Sequence, residues 1–80
     1  MRDQHYRFQT RFESLSVREK EVLSGVVAGK LNKEIAAELG TAERTVKAHR
    51  SHLMQKMRAH SVAELVHISD ILSFPTQRLR

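Results

Sequence analysis

NKEIAAELGTAERTVKAHRS, residues 32–51, lays two short helices around a glycine turn at the spacing of a helix-turn-helix. Ile35, Ala36 and Leu39 give the first half an apolar face. Gly40 is able to take the left-handed conformation that ends a helix, and Val46 returns to the core from the next one. Ala36 is small enough for the two helices to cross closely. Ala36, Gly40 and Val46 together constrain the turn far more tightly than a generic helical pattern does.

Asn32 is the expected N-cap of a helix over about residues 33–39, and Thr41 of the next. That next helix can run to about Met57, because nothing in residues 42–58 breaks it. At about 100° per residue, Ala42, Val46, Leu53 and Met57 share one side, which predicts a buried face. Upstream, Ser16 followed three residues later by Glu19 reads as a capping box. Val22, Leu23, Val26 and Val27 then form one stripe, and Gly29 closes that helix.

Downstream, Ser61 and Glu64 repeat the capping box ahead of a helix over about residues 62–74, which Pro75 helps to stop. Val62, Leu65, Ser69 and Leu72 make its core stripe. Ala63, His67, Ile71 and Phe74 make a second on the opposite side, and a helix apolar on both sides needs two partners, one of them another protein chain. Residues 1–14 carry Phe8 and Phe12, which with Leu15 fall at i, i+4 and i+7. That segment reads either as a short docked helix or as a frayed linker. No strand alternation or internal repeat is present. The expected architecture is all-α: four helices over residues 15–74, an N-terminal linker or short helix in residues 1–14, and a tail over residues 75–80.

Eighty residues suffice for one modest core. Lys and Arg total 14 against 9 Asp and Glu, a formal net charge of +5, and the sequence pI is near 10.3. The distribution says more than the total. Residues 41–60 hold Arg44, Lys47, Arg50, Lys56 and Arg58 against the single acid Glu43, whereas residues 61–74 hold Glu64 and Asp70 with no Lys or Arg. Positive charge on one helix favours a nucleic-acid partner. The chain has no cysteine, which excludes disulfides, thiolate metal sites and cysteine nucleophiles. No apolar run reaches the roughly 18 residues of a membrane span, no signal peptide is evident, and the cytoplasm is the expected location.

The face opposite Val46 carries Arg44, Ala48, Ser51 and Gln55, flanked by Lys47 and Arg58. Arg44 and Lys47 can donate to guanine edges or phosphates, Ala48 permits close approach and contact with a thymine methyl, and Ser51 donates or accepts. Arg44, Lys47, Ala48 and Ser51 are therefore the expected base-reading residues. Lys33, Thr45, Arg50 and Arg58 are the expected phosphate contacts. Ala63, His67, Ile71 and Phe74 are the expected dimerisation face.

His49 and His52 stand i, i+3 without a third ligand. No metal or other cofactor is expected, and His49 reads as a half-buried residue with its polar tip hydrogen-bonded. No phosphate loop or nucleophile with a placed histidine occurs, so no catalytic residue and no enzyme is expected.

LSVREKEVL (residues 15–23), GKLNKEIA (29–36), TVKAHRSHLMQKM (45–57) and the following SVAELV resemble the LuxR/FixJ-type, or GerE-type, helix-turn-helix DNA-binding domain over about residues 12–73. The resemblance is specific, because four separated blocks recur in order. It implies a four-helix domain whose third helix enters the major groove and whose fourth pairs with its copy on DNA. It further implies an effector domain of a two-component response regulator, controlled by a receiver domain that these residues do not contain. Two origins follow, a fragment of a longer regulator, which is favoured, or a stand-alone small regulator. Ala48 and Ser51 depart from the family pattern where residues vary with target sequence.

The expected function is sequence-specific transcription regulation, as an activator, by a dimer on double-stranded promoter DNA, with RNA polymerase as a further partner and no membrane. Two alternatives stand beside it, a helix-turn-helix-derived protein-interaction module and a sigma-factor promoter-recognition domain. The first should have lost Thr45, Lys47 and Arg50; the second should lack a self-pairing last helix.

Overall fold

Five helices follow one another in the computed structural model, which describes residues 2–72, with side chains from Gln4 onward. They are α1 (Arg2–Glu13), α2 (Val17–Val27), α3 (Asn32–Leu39), α4 (Glu43–Met57) and α5 (Val62–Leu72). Phe74, Pro75 and the tail lie outside the described residues.

The capping box at the start of α2 is complete. The Glu19 amide donates to Ser16 Oγ at 3.1 Å, and the Ser16 amide donates to Glu19 Oε1 at 2.9 Å. Two free amides of the helix start are thereby satisfied. At α5 the Glu64 amide donates to Ser61 Oγ at 3.1 Å, but the returning carboxylate accepts from the His60 amide instead of that of Ser61. The N-terminal segment resolves into the helical alternative. Phe8 and Phe12 of α1 are partly buried against the core, and Leu15 just beyond is buried.

Three helices end in the same way, with a residue in the left-handed conformation and paired backbone bonds closing the last turn. After α2, Gly29 (φ 83°) donates to the Val26 carbonyl and Lys30 to that of Gly25, both at 3.0 Å. After α3, Gly40 (φ 68°) donates to Ala37 at 3.4 Å and Thr41 to Ala36 at 2.9 Å. After α4 the left-handed residue is Arg58 (φ 55°), with Arg58 donating to Gln55 at 3.1 Å and Ala59 to Met54 at 3.0 Å. A side chain in that conformation costs about 1 kcal/mol relative to glycine. Ala59, buried beneath the turn, helps to hold it there.

Two expected caps are displaced. Thr41 does not cap α4: its amide closes α3, the helix starts one residue later than expected, and Ala42 stands at the N-cap with no side-chain cap. Ala42 is consequently exposed and does not belong to the buried face of α4. Asn32 does not cap α3 either. The helix starts one residue earlier than expected, Leu31 occupies the cap position, and its amide donates to Glu34 Oε1 at 2.7 Å. The Asn32 side chain is left to face α4.

The core is a cluster that includes Leu15, Val22, Leu23, Val26, Ile35, Ala36, Val46, Leu53, Met57, Leu65 and Ile68. Val46, Leu53 and Met57 are fully covered, as the spacing on α4 predicts. In α5 the inner arc is rotated from the expected one: Leu65 and Ser69 are buried and Leu72 half-buried, but Ile68 joins them and Val62 is exposed. The reason is the position of Val62 at the helix start, on the edge of an arc centred on Leu65. Buried Ser69 is satisfied within its own helix, Oγ donating to the Val66 carbonyl at 2.8 Å. Gly25 sets the approach of α3 to α2, since a Cβ there would lie 2.7 Å from Ile35 Cγ1 and 2.8 Å from Cδ1.

Candidate nucleic-acid interface

α4 is amphipathic, and once Val46, Leu53 and Met57 are buried its remaining surface is fixed in direction by three polar ties. Each comes from a different helix. From α3, Asn32 Oδ1 accepts from Arg50 Nη1 at 2.9 Å. From α2, Glu19 Oε1 accepts from Lys56 Nζ at 2.9 Å. From α1, Arg11 Nη1 donates to the Met57 carbonyl at 3.4 Å, placing a cation at the negative end of the α4 dipole.

The Glu19 tie is electrostatically the most demanding, because its side chain keeps only 7% exposure. A buried carboxylate needs partners, and it has the Ser16 amide and the Lys56 ammonium. The Ser16 backbone hydrogen bond, with the Lys56 hydrogen bond and charge next, holds its pKa below the ordinary 4.5 despite the opposing effect of burial. His52 Nδ1 is 4.0 Å from the other carboxylate oxygen. A depressed carboxylate pKa contributes stability that is present above the unfolded value and lost as pH falls through the folded one. Glu19→Gln should therefore cost about 1 to 2 kcal/mol at neutral pH, solvent screening the half-exposed Lys56. Urea titrations should show that difference disappearing on acidification below about pH 4.5; a difference that persists unchanged in acid would show that the ion pair is not its source.

With α4 so held, Arg44, Lys47, Ala48, Ser51 and Gln55 form an exposed stripe along it that contains no acid. Neither Arg44 nor Lys47 makes an ion pair among the described residues. The four expected base-reading residues are thus brought together on one free surface. The expected phosphate set is more dispersed. Lys33 is exposed at the start of α3, Thr45 is half-buried in the first turn of α4, and Arg58 is exposed at its end. Arg50 is half-buried, its guanidinium engaged by Asn32. On α5, Ala63 and His67 are exposed and Ile71 is half-buried.

His49 is half-buried as expected, and no protein group among the described residues hydrogen-bonds its ring. Among the described residues no group of three or more His, Asp or Glu is placed to hold a metal ion, and no helix is long and apolar enough to cross a membrane. The ties through Glu19–Lys56, Asn32–Arg50 and Arg11 were not legible in the sequence. Their partners stand 37, 18 and 46 residues apart, and no local periodicity links them.

The sequence profile of bacterial regulatory proteins of the luxR family matches residues 13–69, which contain all of α2 to α4 and most of α5. The chain belongs to the LuxR family. Nodulation protein W of Bradyrhizobium diazoefficiens is 54% identical over 61 residues, covering 76% of this chain and 27% of that protein. Response regulator protein TmoT of Ectopseudomonas mendocina is 49% identical over 61 residues, covering 76% of this chain and 28% of that protein. Among solved structures, full-length FixJ from B. japonicum superposes with a TM-score of 0.82 at 37% identity, over 89% of this chain and 35% of that one. The chain spans under a third of the length of these two curated relatives. It carries the LuxR-type helix-turn-helix found in transcription regulators of the two-component response-regulator type.

Proposed function

We propose that this chain is the effector part of a response regulator that binds double-stranded promoter DNA as a dimer and activates transcription in the cytoplasm. In this reading α4 lies in the major groove. The observation that carries it is the acid-free stripe of Arg44, Lys47, Ala48, Ser51 and Gln55 on a helix tied down by its three neighbours. A rigid, exposed, basic helix presenting small and hydrogen-bonding side chains suits base edges. Lys33, Thr45 and Arg58 stand around it as phosphate contacts, and Arg50 joins them while braced by Asn32. Retention of Thr45, Lys47 and Arg50 favours this reading over a protein-interaction module.

The exposure of Ala63 and His67, with Ile71 beside them, supports pairing of α5 with its copy. RNA polymerase and a receiver domain are the further partners this role calls for. Selection of bound duplexes from random-sequence DNA tests the reading. A two-fold site with half-sites about one helical turn apart is expected, and phosphate neutralisation by Lys33, Arg50 and Arg58 of both subunits should make affinity fall steeply with salt. Recovery of no common sequence, or a shallow salt dependence, would remove specific DNA binding.

A further inference from the structure

Beyond the exposed stripe of α4, positive charge is also found on α1, of which the family match includes only the last residue. A groove of about 380 Å³ opens between α1 and the C-terminal end of α4, and Arg7, Arg11, Lys56 and Arg58 line it together with Tyr6. No carboxylate lines it. Two of the four cations are engaged, Lys56 with Glu19 and Arg11 with the Met57 carbonyl. Arg7 and Arg58 have no acidic partner among the described residues. Arg7 stands one turn before Arg11, on a helix whose Phe8 and Phe12 pack against the core, so the helix that brings it to the same groove as Arg58 is held by packing.

Arg58 itself is informative. Among the described residues the same helix ending is built three times, twice with glycine and once with arginine, and Arg58 is the one non-glycine residue at positive φ. A strained position occupied by a charged side chain, where glycine would serve the backbone better, points to use of the side chain. Arg58 also lines a second groove, of about 500 Å³, with Ser51 and Gln55 of the exposed stripe. A surface without carboxylates therefore runs from Arg44 and Lys47 along α4, past the neutral Ala48, Ser51 and Gln55 to Arg58, and on to Arg7 of α1.

From this continuity we infer that α1 is part of the DNA interface: Arg7 and Arg58 clamp the phosphodiester backbone next to the bases that α4 reads. The inference rests on the DNA-binding reading above, which already includes Arg58, and extends it to Arg7 and α1. The clamp touches phosphate alone, so it adds affinity without adding sequence preference. An acidic protein surface is the competing occupant, and continuity with the α4 stripe favours DNA.

The test uses duplexes selected by the whole chain, titrated against Arg58→Gly, Arg7→Ala and the double variant at several KCl concentrations. Arg58→Gly relieves the strained backbone, so its melting temperature should equal or exceed that of the wild type, which separates binding from folding. Each variant should weaken binding to selected and unrelated duplexes by the same factor. Each should also lower the slope of log affinity against log salt by about 0.9 for every phosphate that a subunit no longer neutralises, with the two reductions adding in the double variant. Wild-type affinity and slope in the folded variants would overturn the clamp while leaving DNA binding by α4 intact, and is the result an acidic protein partner predicts. Failure of the wild type to bind any duplex specifically would instead overturn the DNA-binding reading, and the clamp with it.

Discussion

Lys47→Ala should weaken binding to the selected duplex by about 1 to 3 kcal/mol, roughly 5- to 150-fold, and relax preference at one base position. Lys47 is exposed in the middle of the free stripe and has no partner within the described residues, so its removal breaks nothing inside the domain. Alanine is a strong helix former, and the melting temperature should stay unchanged. An anisotropy titration against the selected duplex and against single-base variants checks both parts. Equal weakening on every duplex, with a lower salt slope, would move Lys47 to the phosphate contacts. Unchanged affinity would remove it from the interface altogether.

The second large effect lies underneath the same helix. Leu53→Ala should destabilise the domain by about 3 to 5 kcal/mol, the transfer cost of the deleted side-chain atoms plus the cavity left behind. Leu53 is fully covered, in a core shared with Val22, Leu23 and Ile35. A domain of this length has only about 4 to 12 kcal/mol to lose, so the variant should be substantially weakened or unfolded at physiological temperature. Urea unfolding followed by circular dichroism should show a lower midpoint at constant slope. Leu31→Ala is the control: at 61% exposure it should move stability by less than about 0.5 kcal/mol. A cost below about 1 kcal/mol at Leu53 would contradict the packing described for α4.

These two substitutions mark what the sequence makes legible. Val46, Leu53 and Met57 read as buried, and Arg44, Lys47, Ala48 and Ser51 as free, because 3.6-residue periodicity sorts a helix into faces without knowledge of its neighbours. Ala42 was misplaced for the same reason. Periodicity places it with Val46, but the helix begins only after it. Asn32 and Thr41 each stand one residue from a cap position, because where a helix starts is set by the turn and packing around it and not by capping propensity alone. Leu31 and Ala42 occupy those positions, and the Leu31 amide donates to the Glu34 carboxylate.

Arg50 shows the boundary most clearly. Its charge and position on α4 suggest a phosphate contact, and nothing nearby in sequence warns that its guanidinium meets Asn32 across the helix pair. Arg58 is the converse case. As the end of α4 it was legible, but its left-handed backbone in place of a glycine was not, since arginine carries no signal for that conformation.

By itself the sequence determined the helix-turn-helix, the two sides of α4 and the family, because those depend on periodicity, turn chemistry and the order of short motifs. Only the tertiary structure decided how α4 is held and which cations of other helices stand beside it. The bonds of Arg11, Glu19 and Asn32 to α4, and the place of Arg7 beside Arg58, join residues 18 to 51 positions apart. Such contacts arise from the packing of whole helices, and no local pattern of residues encodes them.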